Sequence, residues 1–211
     1  MLYNVTFDVW AWKDIMRTCG SVINMETPRV MLHFIKISFE GAECFKAIAS
    51  NGYQVSTIEG KCHVADYTVP FDVLLMPQKT PPKTKTVELK AYEDDPEFPG
   101  KHIHTITYRG YVDGKETTTG QSTVPVVIGT YADFEKLVIE PALDRIHKSN
   151  HGTGDYMIAV NKHYLINALN GMDSAIVLFN FSSPVSPFLI RPFGEDVPDA
   201  MALVCPVRIN A

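Results

Sequence analysis

Side chains that could bind a metal or act as catalytic acids form only short clusters in this 211-residue chain. His102 and His104 lie one residue apart in a predicted strand, so both imidazoles would point to one side, as metal ligands can. No third ligand follows at a useful spacing, which favours an ordinary surface strand. Glu93, Asp94 and Asp95 form an acidic run in a predicted loop, and such runs are typical of a solvated surface.

Motifs for nucleotide binding and nucleophilic catalysis are incomplete. No Lys-Ser/Thr pair follows Gly152-Thr153-Gly154, although a phosphate-binding loop requires one. Ser182 and Ser183 lack the strand-turn-helix context of a nucleophile elbow. An enzyme on an unrelated β-rich fold would rest on the histidine pair alone. We therefore predict a protein with no enzymatic activity, no metal and no cofactor.

The cysteines are widely spaced and form no C-x-x-C pair, which favours neither a disulfide framework nor a zinc site. We predict that they are buried thiols in a reducing cytoplasm. They are Cys19, Cys44, Cys62 and Cys205.

The composition is typical of a globular protein with one large domain or two ordinary ones, because 45% of the residues are hydrophobic and 20% are charged. No apolar run approaches the roughly 18 residues of a membrane helix, and no secretory signal pattern opens the chain. We predict a cytoplasmic protein without membrane contact. The net charge of -5 argues against a basic DNA-coating protein, so contact with nucleic acid needs a local basic surface.

The opening of the chain predicts a β-α-β-β-β unit. Residues 3–7 alternate at period two, and Asp8 can cap a helix that continues to about Val22. Residues 29–39 are rich in β-branched and aromatic types and predict a strand. The turn Ser50-Asn51-Gly52 joins two further strands, because Asn and Gly both accept positive φ.

The closing segment predicts the same order, while the middle is less regular. Residues 156–160 form a predicted strand, Asn161 caps a helix, and Gly171 suits a left-handed position at its end. Pro141 restarts a helical pattern in the middle segment, within residues 131–148. Further strands are predicted at residues 87–91, 103–111, 116–120, 124–128, 175–181, 187–191 and 200–208.

The residues of the closing segment, from Tyr156 to Ile209, carry a resemblance to a known family. A strand-helix pair precedes Ser183-Pro184-Val185, and the segment ends on Cys205-Pro206-Val207-Arg208-Ile209. In order, spacing and chemical type this resembles the end of the beta sliding clamp, the processivity subunit of bacterial DNA polymerase III, in a shortened form. The family ends with an "S-P-V-l-I" strand and an "M-P-v-R-l" tail.

Three earlier segments resemble the same family. Residues 50–55 match its "T-D-G-h-R-L" turn, with Asn51 in place of Asp and Gln54 in place of Arg. Val69-Pro70 and residues 71–76 match a "V-P" pair followed by a short helix. Residues 129–138 match the "G-x-F-P-D-Y-x-x-l-i" segment that ends a clamp domain.

The resemblance implies an α+β, DNA-clamp-like fold, with antiparallel sheets outside and short helices on the inner face, built from β-α-β-β-β units. It implies a clamp-like domain over residues 1–139 and a shortened C-terminal one over residues 140–211. An alternative parse joins residues 1–66 and 151–211 into one domain with an insertion. Family chains have three domains and pair into a six-domain ring, whereas this chain offers at most two.

The resemblance also implies two binding surfaces. Basic residues on the predicted helices would face DNA: Lys13, Arg17, Arg145, Lys148 and Lys162. His147 and His163 are further members of this set. A hydrophobic groove for peptides of replication proteins would form where three segments converge: Ser50, Gly52, Tyr53, Val55, Pro70, Leu74, Leu75, Leu203, Val204, Cys205, Pro206, Val207, Arg208 and Ile209.

The function that follows is that of a sliding-clamp-like processivity factor for DNA polymerase. It would encircle double-stranded DNA without sequence preference, as a homo-oligomer, and tether replication proteins that carry clamp-binding peptides. The alternative is a clamp-derived interaction module that keeps the groove but does not encircle DNA.

Overall fold

The computed structural model describes residues 3–91, 103–112, 114–125, 130–148, 158–194 and 199–207. Strands dominate this part of the chain, and three α-helices, α1 (Val9–Thr18), α2 (Glu140–Lys148) and α3 (Lys162–Asn170), accompany them. The strands are β1 (Tyr3–Asp8), β2 (Ile35–Phe39), β3 (Cys44–Ser50), β4 (Gln54–Lys61), β5 (His63–Ala65), β6 (Phe71–Leu75), β7 (Thr84–Ala91), β8 (Ile103–Val112), β9 (Lys115–Pro125), β10 (Val177–Asn180), β11 (Phe188–Pro192) and β12 (Asp199–Val204).

The strands form two antiparallel sheets. One sheet has the order β5-β1-β7-β8-β9, and the other has the order β10-β11-β12-β4-β3-β2-β6. The opening and closing units therefore share the seven-stranded sheet, where β12 pairs with β4 and sets Leu203 opposite Val55. The predicted α+β class with antiparallel sheets and few short helices is confirmed.

Helices α1 and α3 begin at side-chain caps that the sequence predicts. The Asp8 carboxylate accepts a hydrogen bond from Trp10 N at 2.8 Å, and the Asn161 side chain accepts one from His163 N at 2.9 Å. Trp12 and Ile15 of α1 are fully buried, as is Ala168 of α3. The caps thus fix where each helix starts, and burial of one apolar face holds it on the sheets.

Alternation along the seven-stranded sheet divides its side chains between two cores. Ala47 and Ala49 of β3 join the main core with Trp12 and Ile15, while Ile48 between them joins a second cluster. Residues of β11 and β12 alternate in the same way. Because successive strand side chains point to opposite faces, the two cores lie on opposite faces of the sheet.

Helix α2 covers the second face. Ile139 and Ala142 are buried there against Val55 and Leu203, after a short π-helical turn at Glu135–Ile139. Pro141 lies in the first turn of α2, as predicted, directly after the π-helical turn. Helices α1 and α3 share one face, but α2 does not, so only two of the three helices fit the expectation of a common inner face.

Several sequence predictions about elements are wrong. The strand expected from residue 29 begins only at Ile35, because Val30–His33 forms a 3-10 turn. Residues 71–75, expected to be a short helix, form strand β6, since pairing with β2 satisfies their backbone groups. The two strands expected at residues 116–120 and 124–128 are one strand, β9, as far as Pro125; residues 126–128 lie outside the described part.

Two conformational predictions are also wrong. Gly171 ends α3 with φ -74°, which is right-handed, so a left-handed cap is not the reason for glycine. A Cβ at this position would lie 3.2 Å from Thr18 Cα, and glycine thus permits the close approach of α3 to α1. Residues 158–160 belong to no strand, although Ala159 O accepts a hydrogen bond from Val207 N; residues 156 and 157 lie outside the described part.

His104 is a core residue and not a surface ligand. It is buried on β8, and its Nδ1 is hydrogen-bonded to the Tyr3 hydroxyl of β1. Burial lowers the pKa of His104 to about 4 and raises that of Tyr3. His102, its expected partner in a metal site, lies outside the described residues, as do the acidic run at residues 93–95 and the glycines at 152 and 154.

The prediction that the cysteines are buried is fully met only by Cys19. Cys19 is buried, Cys62 and Cys205 are half-buried, and Cys44 is exposed at the start of β3. All four are free thiols. No helix in the described part of the chain is long and apolar enough to cross a membrane.

We predict that Thr18→Val lowers the free energy of unfolding by about 1 to 2 kcal/mol, because it leaves a buried carbonyl without its donor. Thr18 is buried, and its hydroxyl donates to Gly171 O at 2.7 Å, which joins the opening and closing units. Urea denaturation measures the change, with Thr68→Val at an exposed position as the matched control. Equal effects of the two substitutions would show that the contact between α1 and α3 contributes nothing.

We predict that stability falls on acidification between about pH 6.5 and pH 4. The folded state holds the pKa of His104 at about 4, below the ordinary 6.5, so the unfolded state binds a proton that the folded state does not. The contribution is complete above pH 6.5, and about 3 kcal/mol is lost as the pH falls through this window. Urea denaturation as a function of pH should show a shallower acid slope for His104→Gln, whereas His63→Gln, at an exposed histidine, should keep the original slope.

Candidate functional site

A rigid turn between β3 and β4 presents an exposed tyrosine. The Asn51 side chain accepts hydrogen bonds from Tyr53 N at 3.0 Å and Gln54 N at 2.9 Å. Gly52 has φ +90°, and its N–H donates to the Ser50 hydroxyl. Within this turn, Gly52 takes positive φ and Asn51 does not; Asn51 stabilises the turn through its side chain. The hydrogen bonds fix the turn, so Tyr53 is held at the surface.

The C-terminal tail runs beside this turn. Strand β12 leads directly into it, and Cys205 N donates to Tyr53 O at 3.1 Å. Val207 N donates to Ala159 O at 2.8 Å, which connects the tail to the segment before α3. The Tyr53 ring stacks on Tyr164 of α3, with ring centroids 5.6 Å apart and planes 10° apart. The turn, the tail and the start of α3 thus form one corner of the molecule.

Residues 130–148 form a second wall near the same corner. Tyr131 and Phe134 pack with Ile139 over Val55 and Leu203, on the second face of the sheet. The Tyr131 hydroxyl donates to the backbone oxygen of Phe34 at 3.2 Å, and burial raises the pKa of this tyrosine. Leu137 on the same segment is exposed.

The structure places the turn and tail members of the predicted groove at this corner. Tyr53, Gly52 and Val207 are exposed and can contact a ligand. The buried members lie on both faces of the sheet: Val55 and Leu203 belong to the second cluster, Val204 and Leu75 belong to the main core, and Ser50 and Leu74 are also buried. Leu74 and Leu75 are on β6, which β2 and β3 separate from β4. Cys205 and Pro206 are half-buried, while Arg208 and Ile209 lie outside the described residues.

Pro70 does not belong to the corner. It precedes β6, in which Phe71 pairs with Phe39 and Leu75 pairs with Ile35. The turn Ser50–Val55 lies at the Leu75 end of the sheet, so Pro70 is about five residues away along the strand, or roughly 16 Å at a rise of about 3.3 Å per residue. Its assignment to the groove is wrong, because the segment taken for a helix is an extended strand.

Sequence reasoning missed two residues that line this corner. Tyr164 lies on the helix that Asn161 caps and stacks on Tyr53, and Tyr131 lies in the segment that resembles the end of a clamp domain. The helical spacing of apolar residues in 131–148 contained a signal that this segment packs on a sheet. It could not indicate which face of the sheet the segment covers.

The predicted DNA-facing residues divide between the two faces. Lys13 of α1 and Lys162 of α3 are exposed on the helices that share a face, and His163 is exposed beside Lys162. Arg17, also on α1, is engaged by two carboxylates, Asp14 and Asp173. This face therefore presents fewer available cations than the sequence predicts.

Arg145, His147 and Lys148 lie on α2 and cannot line the same surface as Lys13, because α2 packs on the opposite face of the sheet. The Lys148 ammonium is 2.7 Å from the Asp144 carboxylate, and Arg145 Nε donates to the Pro141 carbonyl. The prediction that these residues share one DNA-facing surface with Lys13 is therefore wrong, because alternation along the strands places α2 on the opposite face of the sheet.

A cleft of about 560 Å³ lies between the sheet and residues 132–136. Lys46 spans it, with its ammonium 3.0 Å from Glu59 and 2.9 Å from Glu135. Burial opposes the charge of Lys46, but the hydrogen bonds to both carboxylates outweigh it and raise the pKa of the lysine. This arrangement ties the segment before α2 to the sheet. Within the described ranges, no group of three or more His, Cys, Asp or Glu side chains could hold a metal.

Neither a protein-family model nor a curated protein matches this sequence. Solved structures do match. The DNA polymerase III beta chain from Streptococcus pneumoniae aligns with TM-score 0.68 and 16% identity, covering 99% of this chain and 66% of that one. The sliding clamp from Pseudomonas aeruginosa aligns with TM-score 0.67 and 15% identity, covering 99% and 67%.

The Helicobacter pylori beta clamp bound to a DNA ligase peptide aligns with TM-score 0.63 and 13% identity, covering 99% of this chain and 67% of that one. The chain thus spans about two thirds of the length of the clamps that it matches. Over nearly all of its residues, this protein has the fold of bacterial DNA polymerase III beta sliding clamps.

Proposed function

We propose that this protein is a sliding-clamp-like processivity factor that encircles duplex DNA and tethers replication proteins through a peptide groove. The observation that carries the proposal is the corner where the Ser50–Val55 turn meets the C-terminal tail, in a clamp fold that extends over 99% of the chain. Such a scaffold acts by shape and contact, and it needs no catalytic group.

The chemistry of the corner supports a peptide ligand. The exposed apolar side chains of Tyr53, Leu137 and Val207 lie on the elements that meet there, and buried neighbours hold those elements in place. Short peptides bind such surfaces through a few apolar anchors that carry most of the binding energy. The peptide bound by the Helicobacter pylori clamp comes from DNA ligase, and we propose replication proteins as the partners of this chain.

We propose that α1 and α3 face the DNA. Lys13 and Lys162 would contact phosphates, and contacts of this type carry no sequence information. Two or three such contacts per chain would give weak binding with a shallow salt dependence, which suits a ring that must move along the duplex. A net charge of -5 for the whole chain keeps other surfaces from adhering to DNA.

For the domain organisation, we propose that residues 1–66 and 151–211 form a single domain with an insertion. Pairing of β4 with β12 and the hydrogen bond from Thr18 to Gly171 support this parse over a boundary near residue 139. One chain then supplies part of a ring, so encirclement requires several copies.

The second candidate is an interaction module that keeps the groove without encircling DNA. One observation favours it: the expected cations are divided between two faces, and Arg17 is paired with carboxylates. A module of this kind would bind the same peptides and would show no topological link to DNA.

We predict that Tyr53→Ala weakens binding of a Gln/Leu/Phe-containing clamp-motif peptide about tenfold or more, because a stacked anchor ring is lost from the corner. Fluorescence anisotropy with a labelled peptide measures the dissociation constant. Tyr111→Ala, which removes an equally exposed tyrosine from β8, is the matched control and should leave affinity unchanged. Equal affinities for Tyr53→Ala and the unmodified chain would remove the groove from the proposal.

We predict that the protein stays on nicked circular DNA and leaves it when the DNA is linearised, because a topological link vanishes at a free end while electrostatic binding does not. Lys13→Glu with Lys162→Glu should reduce retention severalfold at fixed salt. Arg145→Glu with Lys148→Glu, on the opposite face, is the control pair and should not reduce it. Retention unaffected by linearisation argues for the interaction module.

A further inference from the structure

A small pocket opens between the start of β1 and the loop that joins β5 to β6. Its volume is about 280 Å³, just below the range of about 300 to 1,000 Å³ that is typical of drug-sized ligands. The loop reaches β6 at Phe71, whereas the corner near Tyr53 lies at the Leu75 end of that strand. The pocket is therefore a separate site, with room for one small molecule.

One wall of the pocket is a stack of aromatic rings anchored in the main core. The Tyr3 ring stacks on Phe71 with centroids 4.9 Å apart, and Phe71 stacks on Phe39 at 4.8 Å. Phe39 is fully buried, and the Tyr3 hydroxyl is hydrogen-bonded to His104 Nδ1. These contacts hold the wall in place without a ligand, so binding would cost little ordering of its side chains.

The loop adds a third aromatic ring to the lining. Tyr67 is half-buried beside the pocket, and Val69, which also lines it, is 63% exposed. Together, Tyr3, Tyr67 and Phe71 bring three rings to one small cavity. The face of an aromatic ring carries negative potential and attracts a cation within about 6 Å of its centroid.

The charged groups of the lining are all acidic. Asp66 and Asp72 line the pocket, and no Lys, Arg or His is among the described residues around it. The Asp72 carboxylate is 3.0 Å from the Lys36 ammonium, which partly neutralises it. The Asp66 side chain has no ion-pair or hydrogen-bond partner within the described part of the chain. The pocket is thus complementary to a positive ligand.

The backbone at Asp66 has an uncommon conformation. Its φ is +53°, in the left-handed region where Asp and Asn are several-fold enriched among non-glycine residues. The preceding strand is fixed, because Ala65 pairs with Asn4 of β1 and Val64 N donates to Ala42 O at 2.8 Å. Asp66→Asn therefore removes the charge and keeps a residue that accepts this turn.

We propose that this pocket binds a small organic cation of the alkylammonium class, with the charged head against the rings of Tyr3 and Tyr67 and near Asp66. The rings and the carboxylate favour positive charge, and the small volume excludes a large ligand. A metal ion is a poorer fit, because no group of three or more metal-binding side chains occurs in the described ranges. The site does not depend on the proposed function.

A pair of molecules with the same shape tests the proposal. Choline is the cationic probe, and 3,3-dimethyl-1-butanol is its neutral counterpart. NMR titration of the ¹⁵N-labelled full chain at fixed ionic strength follows the backbone amides of residues 64–69. Choline should shift them saturably, with a millimolar dissociation constant, and the neutral molecule should bind at least about fivefold more weakly. Equal affinities, or no saturable shift at tens of millimolar choline, overturn the inference.

Substitutions in the lining locate the bound cation. Asp66→Asn and Tyr67→Leu should each weaken choline binding about threefold or more, because each removes one attraction for the charge. Tyr67→Phe keeps the ring and should bind choline nearly as the unmodified chain does. Asp199→Asn, at an exposed aspartate on β12, is the matched control and should leave the affinity unchanged.

The same spectra show whether each variant is folded, since amide shifts far from the loop should be unaltered. Choline binding that persists unchanged in both Asp66→Asn and Tyr67→Leu would place the ligand elsewhere and contradict the inference. An equal loss of affinity in Asp199→Asn would contradict it too, because the effect would then reflect the net charge of the chain and not this pocket.

Discussion

The antiparallel pairing of β12 with β4 is the constraint on which the rest of the structure depends. It joins the two ends of the chain, setting Leu203 opposite Val55 and Val204 opposite Gln54. Because strand side chains alternate, this register sends Val204 to the main core and Leu203 to the second cluster. A shift of one residue would exchange the two faces and bury neither set correctly. The hydrogen bond from Thr18 to Gly171 O is a second link between the same two parts of the chain.

The candidate groove is a consequence of this pairing. The turn at Ser50–Val55 and the tail after Val204 are adjacent only because their strands are neighbours, and the bond from Cys205 N to Tyr53 O continues the ladder beyond β12. Asn51 holds the turn with its side chain, so the site is preorganised before any ligand arrives. Binding by such a surface depends on the positions of Tyr53 and Val207 and requires no activated group.

The distribution of charge and of free edges is consistent with a protein that works through surfaces. Ion pairs engage the cations of Arg17, Lys46 and Lys148. The β10–β11 hairpin, with the partly exposed rings of Phe179 and Phe181, lies at the end of the strand order, away from the corner near Tyr53.

The sequence by itself determined the local structure and the family resemblance. Asp8 and Asn161 cap helices as predicted, Pro141 lies in a first turn, and the turn at residues 50–52 joins two strands, because these features depend on residues a few positions apart. The segments that resemble the family likewise include the turn and the tail, which the structure places side by side. Local patterns did not distinguish a strand from a helix at residues 71–75, where pairing with β2 decides.

Only the tertiary structure decided which surface each predicted residue occupies. Whether Lys148 shares a face with Lys13, whether Pro70 reaches the turn and whether His104 is exposed all depend on strand order and register. These contacts join residues far apart in the chain, and helical or strand periodicity contains no information about them. The sequence therefore determined what each segment is, while packing between distant segments decided what each side chain can touch.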